Sequence, residues 1–128
     1  MRILLIEGEP IIQFYMKTSL ASLSHEVICT ASGEEALFLL KQDFNYFDSI
    51  IMESNIRDMN AFQLIDIIHE QTTKPKILIV VPYIGRDAQL LHEYKNKIRG
   101  FIKKPIDIAQ LINVVRSFEN NYDSDYVN

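Results

Sequence analysis

Apolar residues along the chain fall into blocks of two kinds, short continuous runs and longer segments with helical spacing. The short runs are rich in β-branched residues and mostly lack polar alternation; they cover residues 3–6, 26–29, 49–52, 76–81 and 100–102. Runs of this kind are typical of strands that are buried on both faces, as in a parallel sheet. The pattern therefore predicts five buried strands.

The longer segments carry apolar residues three or four positions apart, which predicts amphipathic helices between the strands. Pro10 suits the first turn of the first helix, whose predicted apolar stripe consists of Ile11, Ile12, Tyr15, Met16 and Leu20. Ser32, in a capping box with Glu35, is expected to begin the second helix, which runs through Leu40. Asn60 and Asp107 are expected to cap the third and last helices, and residues 86–97 form the fourth.

Strand and helix thus alternate five times, which predicts a five-stranded parallel sheet with helices on both faces and right-handed crossovers. A chain of 128 residues suits one domain, because two would each be too small to bury a good core. We assign residues 1–119 to this domain. Residues 120–128 are polar and acidic, and we expect this tail to be disordered.

Charge and apolar run length limit the kinds of partner. The chain has 13 basic and 17 acidic residues and a formal net charge of −4, which disfavours bulk binding to DNA or to anionic membranes but leaves room for a small basic patch. The N-terminal apolar run is too short for a signal peptide or a membrane span. We therefore expect a cytoplasmic protein that binds neither nucleic acid nor membrane.

The cysteine and the histidines suggest structural roles. Cys29 is the only cysteine, so an internal disulfide and a thiolate zinc cluster are both excluded, and a small buried apolar role is expected. His25, His69 and His92 lie on different predicted elements and lack a second histidine at ligand spacing. For these three we expect surface or capping roles rather than metal binding.

Chemistry is expected beyond the carboxyl ends of the strands, where functional groups gather in open α/β sheets. Acidic residues follow the first and third strands, as Glu7-Gly8-Glu9 and Glu53, and Lys104-Pro105 follows the fifth. Two sets of carboxylates and a lysine would therefore meet in one crevice. Such a pocket could hold a divalent cation together with an anionic group.

Three segments resemble those of one family in the right order. Ile-Leu-Leu-Ile-Glu-Gly-Glu-Pro is similar to the first strand and acidic turn of the receiver domains of bacterial two-component response regulators. The segment from Asp48 to Phe62 resembles the one that bears their phosphorylated aspartate, and Lys104-Pro105 resembles their lysine-proline signature. The resemblance runs from Ile3 to about Phe118. It implies a doubly wound, flavodoxin-like α/β/α fold with strand order 2-1-3-4-5, similar to chemotaxis regulators, and a cis peptide bond at the lysine-proline step.

The resemblance also implies the role of each matching position. In the family an aspartate accepts a phosphoryl group with the help of magnesium, a lysine and a hydroxyl, and an aromatic residue on the fifth strand then changes rotamer. The corresponding residues here are Glu7 and Gly8 for the acidic pair, Glu53 for the phosphoacceptor, Val80 for the hydroxyl residue, Lys104 for the lysine and Phe101 for the aromatic switch. Metal ligation would fall to Glu7, Glu53 and the carbonyl of Asn55.

Three of these positions depart from the family pattern. Glu53 carries its carboxylate one bond further out than aspartate, and a misplacement of about 1 Å can cost on the order of 100-fold in rate. Gly8 removes an acidic metal ligand, so magnesium binding is expected to be weak or lost, although Glu9 offers a partial replacement. Val80 cannot donate a hydrogen bond to a phosphoryl oxygen, a loss of roughly 1–3 kcal/mol. Arg57, Asp58 and Ala61 replace the family's usual proline and glycines, which predicts a different loop geometry.

Several interpretations of the pocket stay open. The acidic cluster could be inactive and neutralised by Lys104, Glu53 with Lys104 could imitate the phosphorylated state, or Glu53 could accept a phosphoryl group. We favour an atypical receiver, not an enzyme and needing no cofactor, that signals by protein contact. The expected partner, a histidine kinase, another regulator or an effector, would bind the face of residues 86–97, Phe101 and residues 107–118, which could also form a homodimer.

A different class of function is a small α/β phosphatase or a flavin-binding protein. Glu7 and Glu9 would repel a flavin phosphate where such proteins supply hydroxyls and glycines. A phosphatase would need an aspartate nucleophile with an acid-base partner, for which Glu53-Ser54-Asn55 is a poor match. Both remain rivals to the receiver hypothesis.

Overall fold

The computed structural model describes residues 1–119, which form one sheet of five parallel strands between two layers of helices. We number the strands of this sheet in chain order as β1 (Arg2–Ile6), β2 (Glu26–Thr30), β3 (Ser49–Glu53), β4 (Lys76–Val81) and β5 (Gly100–Lys103). Their spatial order is β2-β1-β3-β4-β5 and every pairing is parallel, which confirms the predicted sheet. The predicted tail, residues 120–128, lies outside the described residues.

Helices connect the strands as expected: α1 (Pro10–Ala21), α2 (Gly33–Leu40), α3 (Ala61–Gln71), α4 (Ile84–Glu93) and α5 (Ile108–Glu119). Successive strand residues face opposite layers; Leu4 packs towards α2 and α3, whereas Leu5 packs towards α1 and α5. Both layers are apolar, which explains why the strands appear in the sequence as continuous apolar runs. Because all five strands are parallel, the loops that leave the carboxyl ends of β1, β3 and β5 come together at the same edge of the sheet.

The predicted apolar stripe of α1 is only partly correct. Met16 and Leu20 are buried, but Ile11 is 79% exposed and Tyr15 is 49% exposed. Met16 and Leu20 are four residues apart and share the buried side of the helix. Ile11 and Tyr15 each come one residue before a position on that side, so their side chains are rotated away from it by about 100° around the helix axis. Phe14 is also 71% exposed, so α1 presents aromatic surface to solvent.

The predicted helix caps are confirmed, whereas the bounds of α4 differ. Ser32 accepts a hydrogen bond from the Glu35 N–H at 3.1 Å, and the Asn60 side chain accepts one from Phe62. Asp107 accepts hydrogen bonds from the first turn of α5. Helix α4 spans Ile84–Glu93 instead of residues 86–97. It ends early because the chain turns after Tyr94, where the Lys97 N–H donates to the Tyr94 carbonyl at 2.8 Å.

His25 and Cys29 depart from their expected settings. His25 is buried at 6% exposure rather than at the surface, and its Nδ1 lies 3.0 Å from the N-terminal amine of Met1. Burial and the nearby positive N-terminus lower the pKa of His25. Cys29 is only half-buried on the edge strand β2, and burial raises the pKa of its thiol. His69 and His92 are exposed as expected.

Within residues 1–119, none of the helices combines the length and apolar character required to cross a bilayer.

Candidate functional site

The carboxyl edge of the sheet holds a cavity that brings the predicted site residues together. It has a volume of about 280 Å³ and is lined by Glu7, Gly8, Glu9, Glu53, Asn55, Arg57 and Lys104. The prediction that acids from β1 and β3 meet a lysine from the end of β5 is therefore correct in geometry. Phe101 lies elsewhere on β5, half-buried against the core. The role of Arg57 in lining the cavity was missed, because the sequence marks it only as a loop substitution.

Glu7 is the most deeply buried acid of this cavity, with 2% of its surface exposed. Its Oε1 lies 3.6 Å from Lys104 Nζ, and its Oε2 accepts a hydrogen bond from the Glu9 N–H at 3.1 Å. Burial raises the pKa of Glu7, and contact with the Glu53 side chain raises it further, while the Glu9 N–H and Lys104 act in the opposite direction. The Glu7 carboxyl therefore lies beside both a second acid, Glu53, and one cation, Lys104.

The carboxylate of Glu53 is turned towards the loop after β1. Its Oε2 accepts a hydrogen bond from the Gly8 N–H at 2.8 Å. A Cβ added at Gly8 would lie 3.8 Å from this same oxygen and 3.3 Å from the Ala31 carbonyl oxygen, so Glu53 occupies space next to the position of the missing acid. Within residues 1–119, Lys104 forms its ion pair with Glu7 rather than with Glu53.

Val80, which was predicted to take the hydroxyl position, has no side-chain hydrogen-bond donor. It pairs in register with Glu53 and is 1% exposed, with its side chain in the core beneath α1 and α5. Ser54, the residue after β3, donates its hydroxyl to Asp87 Oδ2 at 3.2 Å in a buried contact with α4. This contact was missed by sequence analysis, because nothing local indicates that residues 33 positions apart meet.

The other end of α4 is also held by a polar contact. The Tyr94 hydroxyl donates to Asp66 Oδ2 of α3 at 2.7 Å, and the Tyr94 ring packs edge-on against Phe62 at a centroid distance of 5.0 Å. Because the acceptor is a carboxylate, the pKa of Asp66 is lowered and that of Tyr94 is raised. With the Ser54–Asp87 contact, α4 is therefore attached at both ends to the elements that follow Glu53.

The loop after β3 forms a small hairpin, in which Asn55–Ile56 pairs antiparallel with Met59–Asn60. Asp58 at its turn accepts hydrogen bonds from the Gly33 and Glu34 N–H groups at 2.7 and 3.0 Å, so it caps the N-terminus of α2 and its pKa is lowered. A Cβ at Gly33 would lie 2.5 Å from the Met59 side chain. The loop is thereby fixed against α2.

The cavity does not fit a tight magnesium site. Among residues 1–119 there is no group of three acidic, histidine or cysteine side chains arranged to hold a metal ion. Of the predicted ligands, Glu7 is paired with Lys104, Glu53 is bound to the Gly8 N–H, and Asn55 is exposed. Magnesium requires near-ideal octahedral oxygen ligation, which a single pair of engaged carboxylates does not supply.

The raised pKa of Glu7 predicts a particular pH dependence of stability. Because the folded state binds the proton more tightly than the unfolded chain, whose glutamates titrate near 4.5, the free energy of unfolding should fall as pH rises from that value through the folded pKa. Glu7→Gln removes this titration, so its urea midpoint should fall less than that of the wild-type protein as the pH rises above 4.5. Glu70→Gln, at an exposed glutamate, is the control. Equal pH profiles for all three proteins would contradict the prediction.

Comparison with known proteins identifies the family. Residues 3–116 match the model of the response regulator receiver domain, and the chain therefore belongs to the receiver domain family of two-component response regulators. It is 25% identical over 114 residues to the two-component response regulator ORR23 of Oryza sativa subsp. indica, covering 89% of this chain. It is 23% identical over 120 residues to the transcriptional regulatory protein CrdR of Helicobacter pylori, covering 94% of this chain. The relatives thus include plant as well as bacterial proteins.

The solved structures support the same fold. The non-phosphorylated HemR receiver domain from Leptospira biflexa superposes with a TM-score of 0.83 at 21% identity, covering 98% of each chain. A response regulator receiver domain from Clostridium thermocellum superposes with a TM-score of 0.82 at 21% identity, covering 93% of this chain and 94% of that one. The chain spans only 16% of the length of the rice regulator and 55% of the length of CrdR.

Proposed function

We propose that this chain is an atypical receiver whose signalling does not depend on phosphorylation and which acts by protein contact. The observation that carries this proposal is the 2.8 Å hydrogen bond between Glu53 Oε2 and the Gly8 N–H. The carboxylate at the phosphoacceptor position is thereby engaged, and it lies where a second acid and a metal ion would be needed. A phosphoryl group added to it would have to displace this contact.

Two further features of the pocket support the proposal. Lys104, which in the family stabilises phosphoryl oxygens, is paired with the buried Glu7 at 3.6 Å. Val80 leaves one phosphoryl oxygen without its donor, because its apolar side chain faces the core. The pocket therefore differs in three respects: the charge of Lys104 is already paired, the hydrogen-bond donor at Val80 is missing, and the metal ligands are altered. None of these changes compensates for another.

The partner surface that we propose consists of α4, β5 and α5, including Phe101. The Ser54–Asp87 and Asp66–Tyr94 hydrogen bonds hold α4 against the β3 edge and α3 in a fixed arrangement. Such a face can be recognised without a preceding chemical step. Receiver domains interact with kinases, regulators or effectors, and we propose a partner of one of these kinds, or a second copy of this chain. We propose no enzymatic turnover, and the net charge of −4 does not favour nucleic acid.

Incubation with magnesium and acetyl phosphate, followed by intact-mass analysis, tests the proposal. The wild-type protein should remain unmodified under conditions that fully phosphorylate an ordinary receiver domain, because its phosphoacceptor position lacks the aspartate, the second acid and the hydroxyl. Glu53→Ala should give the same mass spectrum apart from the substitution. A near-stoichiometric phosphoryl adduct that is absent in Glu53→Ala would establish Glu53 as a phosphoacceptor and overturn the proposal.

A further inference from the structure

The strand β2 forms one free edge of the sheet. It pairs with β1 on one side, and no strand of residues 1–119 lies on its other side. The Glu26 N–H and the Thr30 carbonyl both form hydrogen bonds towards β1, each at 3.0 Å. Because alternate residues of such a strand direct their N–H and C=O groups to opposite sides, Val27 and Cys29 direct theirs outward. Four backbone groups therefore point off the sheet at this edge.

The middle of β2 lacks the features that usually protect a free edge. Charged side chains, prolines and bulges prevent edge strands from pairing with another chain. Val27, Ile28 and Cys29 are uncharged and half-buried, whereas the other edge strand, β5, ends at the exposed Lys103. Beside β2, a groove of about 600 Å³ extends to α2, where Phe38 is 68% exposed. The edge is therefore an apolar surface that can accept a further strand.

We propose that β2 pairs antiparallel with β2 of a second copy of this chain, so that the two sheets join across a two-fold axis. An antiparallel pair centred on Ile28 places Val27 of each copy opposite Cys29 of the other. Both residues direct N–H and C=O outward, so the pairing forms four backbone hydrogen bonds. The two Ile28 side chains then lie opposite each other. This edge is across the sheet from β5, and the proposal is independent of the function proposed above.

The segments next to β2 select this register over a shift along the strand. A shift towards the carboxyl end would use the Ala31 N–H, which already donates to Glu35 Oε1 at 3.1 Å. A shift towards the amino end would extend the pairing to the turn before β2, where Ser24 has a φ of 69° and the backbone is no longer extended. The register centred on Ile28 uses both outward-facing residues of each strand.

Polar groups at the two ends of β2 complement each other in this arrangement. Thr30 is 5% exposed, and its Oγ1 has no hydrogen-bond partner within residues 1–119. The register places Thr30 opposite Glu26 of the second copy, which uses Oε1 for the Tyr46 hydroxyl and has Oε2 as a further acceptor. Arg2 lies beside Glu26 in the sheet, so its positive charge would approach the two glutamates in the first turn of α2.

Sedimentation velocity at increasing protein concentration tests the proposal. The full chain should form a reversible and weak dimer, because a strand of five residues gives a small interface. Val27→Pro removes an outward N–H and leaves the ladder with β1 intact, since proline is tolerated at such edge positions. It should raise the dissociation constant at least about tenfold through the two lost hydrogen bonds. Val27→Thr keeps the N–H and should change the constant little. A protein that stays monomeric at every concentration, or equal constants for the two variants, would overturn the proposal.

Disulfide trapping tests the register. In a Cys29→Ala background, Ile28→Cys places the two new thiols opposite each other, in a pair whose Cα atoms lie about 4.5 Å apart, which a disulfide can span. Oxidation should convert most of this variant, once circular dichroism has shown it to be folded, into a covalent dimer. Lys103→Cys in the same background is the control on the other edge strand and should stay mostly monomeric. Equal trapping at both positions, or trapping with Lys103→Cys alone, would overturn the β2 interface without affecting the function proposed above.

Discussion

Acetyl phosphate should phosphorylate a variant that combines Gly8→Asp, Glu53→Asp and Val80→Thr, at a rate at least about 100-fold above that of the wild-type protein. In Glu53→Asp the shorter side chain withdraws the carboxylate, which now accepts a hydrogen bond from the Gly8 N–H at 2.8 Å. This frees space at the carboxyl end of β3. Gly8→Asp supplies a second acid for magnesium, and Val80→Thr supplies the hydrogen-bond donor. Intact-mass analysis over time would give the rate.

The three substitutions are expected to act together. Gly8→Asp requires a small backbone adjustment, since its Cβ would lie 3.3 Å from the Ala31 carbonyl oxygen. The double variant Gly8→Asp with Val80→Thr keeps Glu53 and serves as the control that should stay unmodified. Adding Lys104→Ala to the triple variant should slow its phosphorylation, because the lysine would then be missing. A triple variant that folds normally but gains no phosphoryl group would contradict the prediction.

Replacing Leu20 or Ile11 of α1 by alanine should have very different effects on the free energy of unfolding. Leu20 is fully buried, and Leu20→Ala should lower the free energy of unfolding by about 3 kcal/mol through lost apolar burial and the cavity left behind. Ile11 is 79% exposed, and Ile11→Ala should change the free energy of unfolding by less than about 0.5 kcal/mol. Urea denaturation of both variants measures the difference.

The pair is informative because the sequence places both residues on one predicted stripe. Met16→Ala, at another buried position, should lower the free energy of unfolding much as Leu20→Ala does. It therefore shows whether the loss is common to the buried side of α1. Comparable losses for Ile11→Ala and Leu20→Ala would contradict the orientation of α1 in which Leu20 faces the sheet and Ile11 faces solvent.

Local pattern was sufficient for the sheet and for the cavity at its carboxyl edge. Five uninterrupted apolar runs indicate strands covered on both faces, and parallel strands necessarily bring Glu7, Glu53 and Lys104 to one edge. Helix caps were also predictable, because Ser32 and Asn60 act within three residues of their own position. These features depend on spacing alone.

Features that depend on long-range contacts could not be predicted. Helix α1 contains apolar residues on more than one side, so periodicity could not show whether Ile11 or Ile12 faces the sheet. The packing of the helix against the sheet determines this. The end of α4 depends on Tyr94 and Lys97, which both contact Asp66 in another helix. The burial of His25 depends on the chain terminus beside it and on α5, since Glu119 lies 3.5 Å away.

The attachment of α4 at both ends has a thermodynamic consequence for recognition. A surface that is already held in its binding geometry loses little conformational freedom on association, so more of the contact energy is retained as affinity. Selectivity among partners then depends on how well each one matches a preformed template, and differences between them should appear mainly in dissociation rates. For the α4-β5-α5 face that we propose as the partner surface, the Ser54–Asp87 and Asp66–Tyr94 hydrogen bonds would supply that preorganisation.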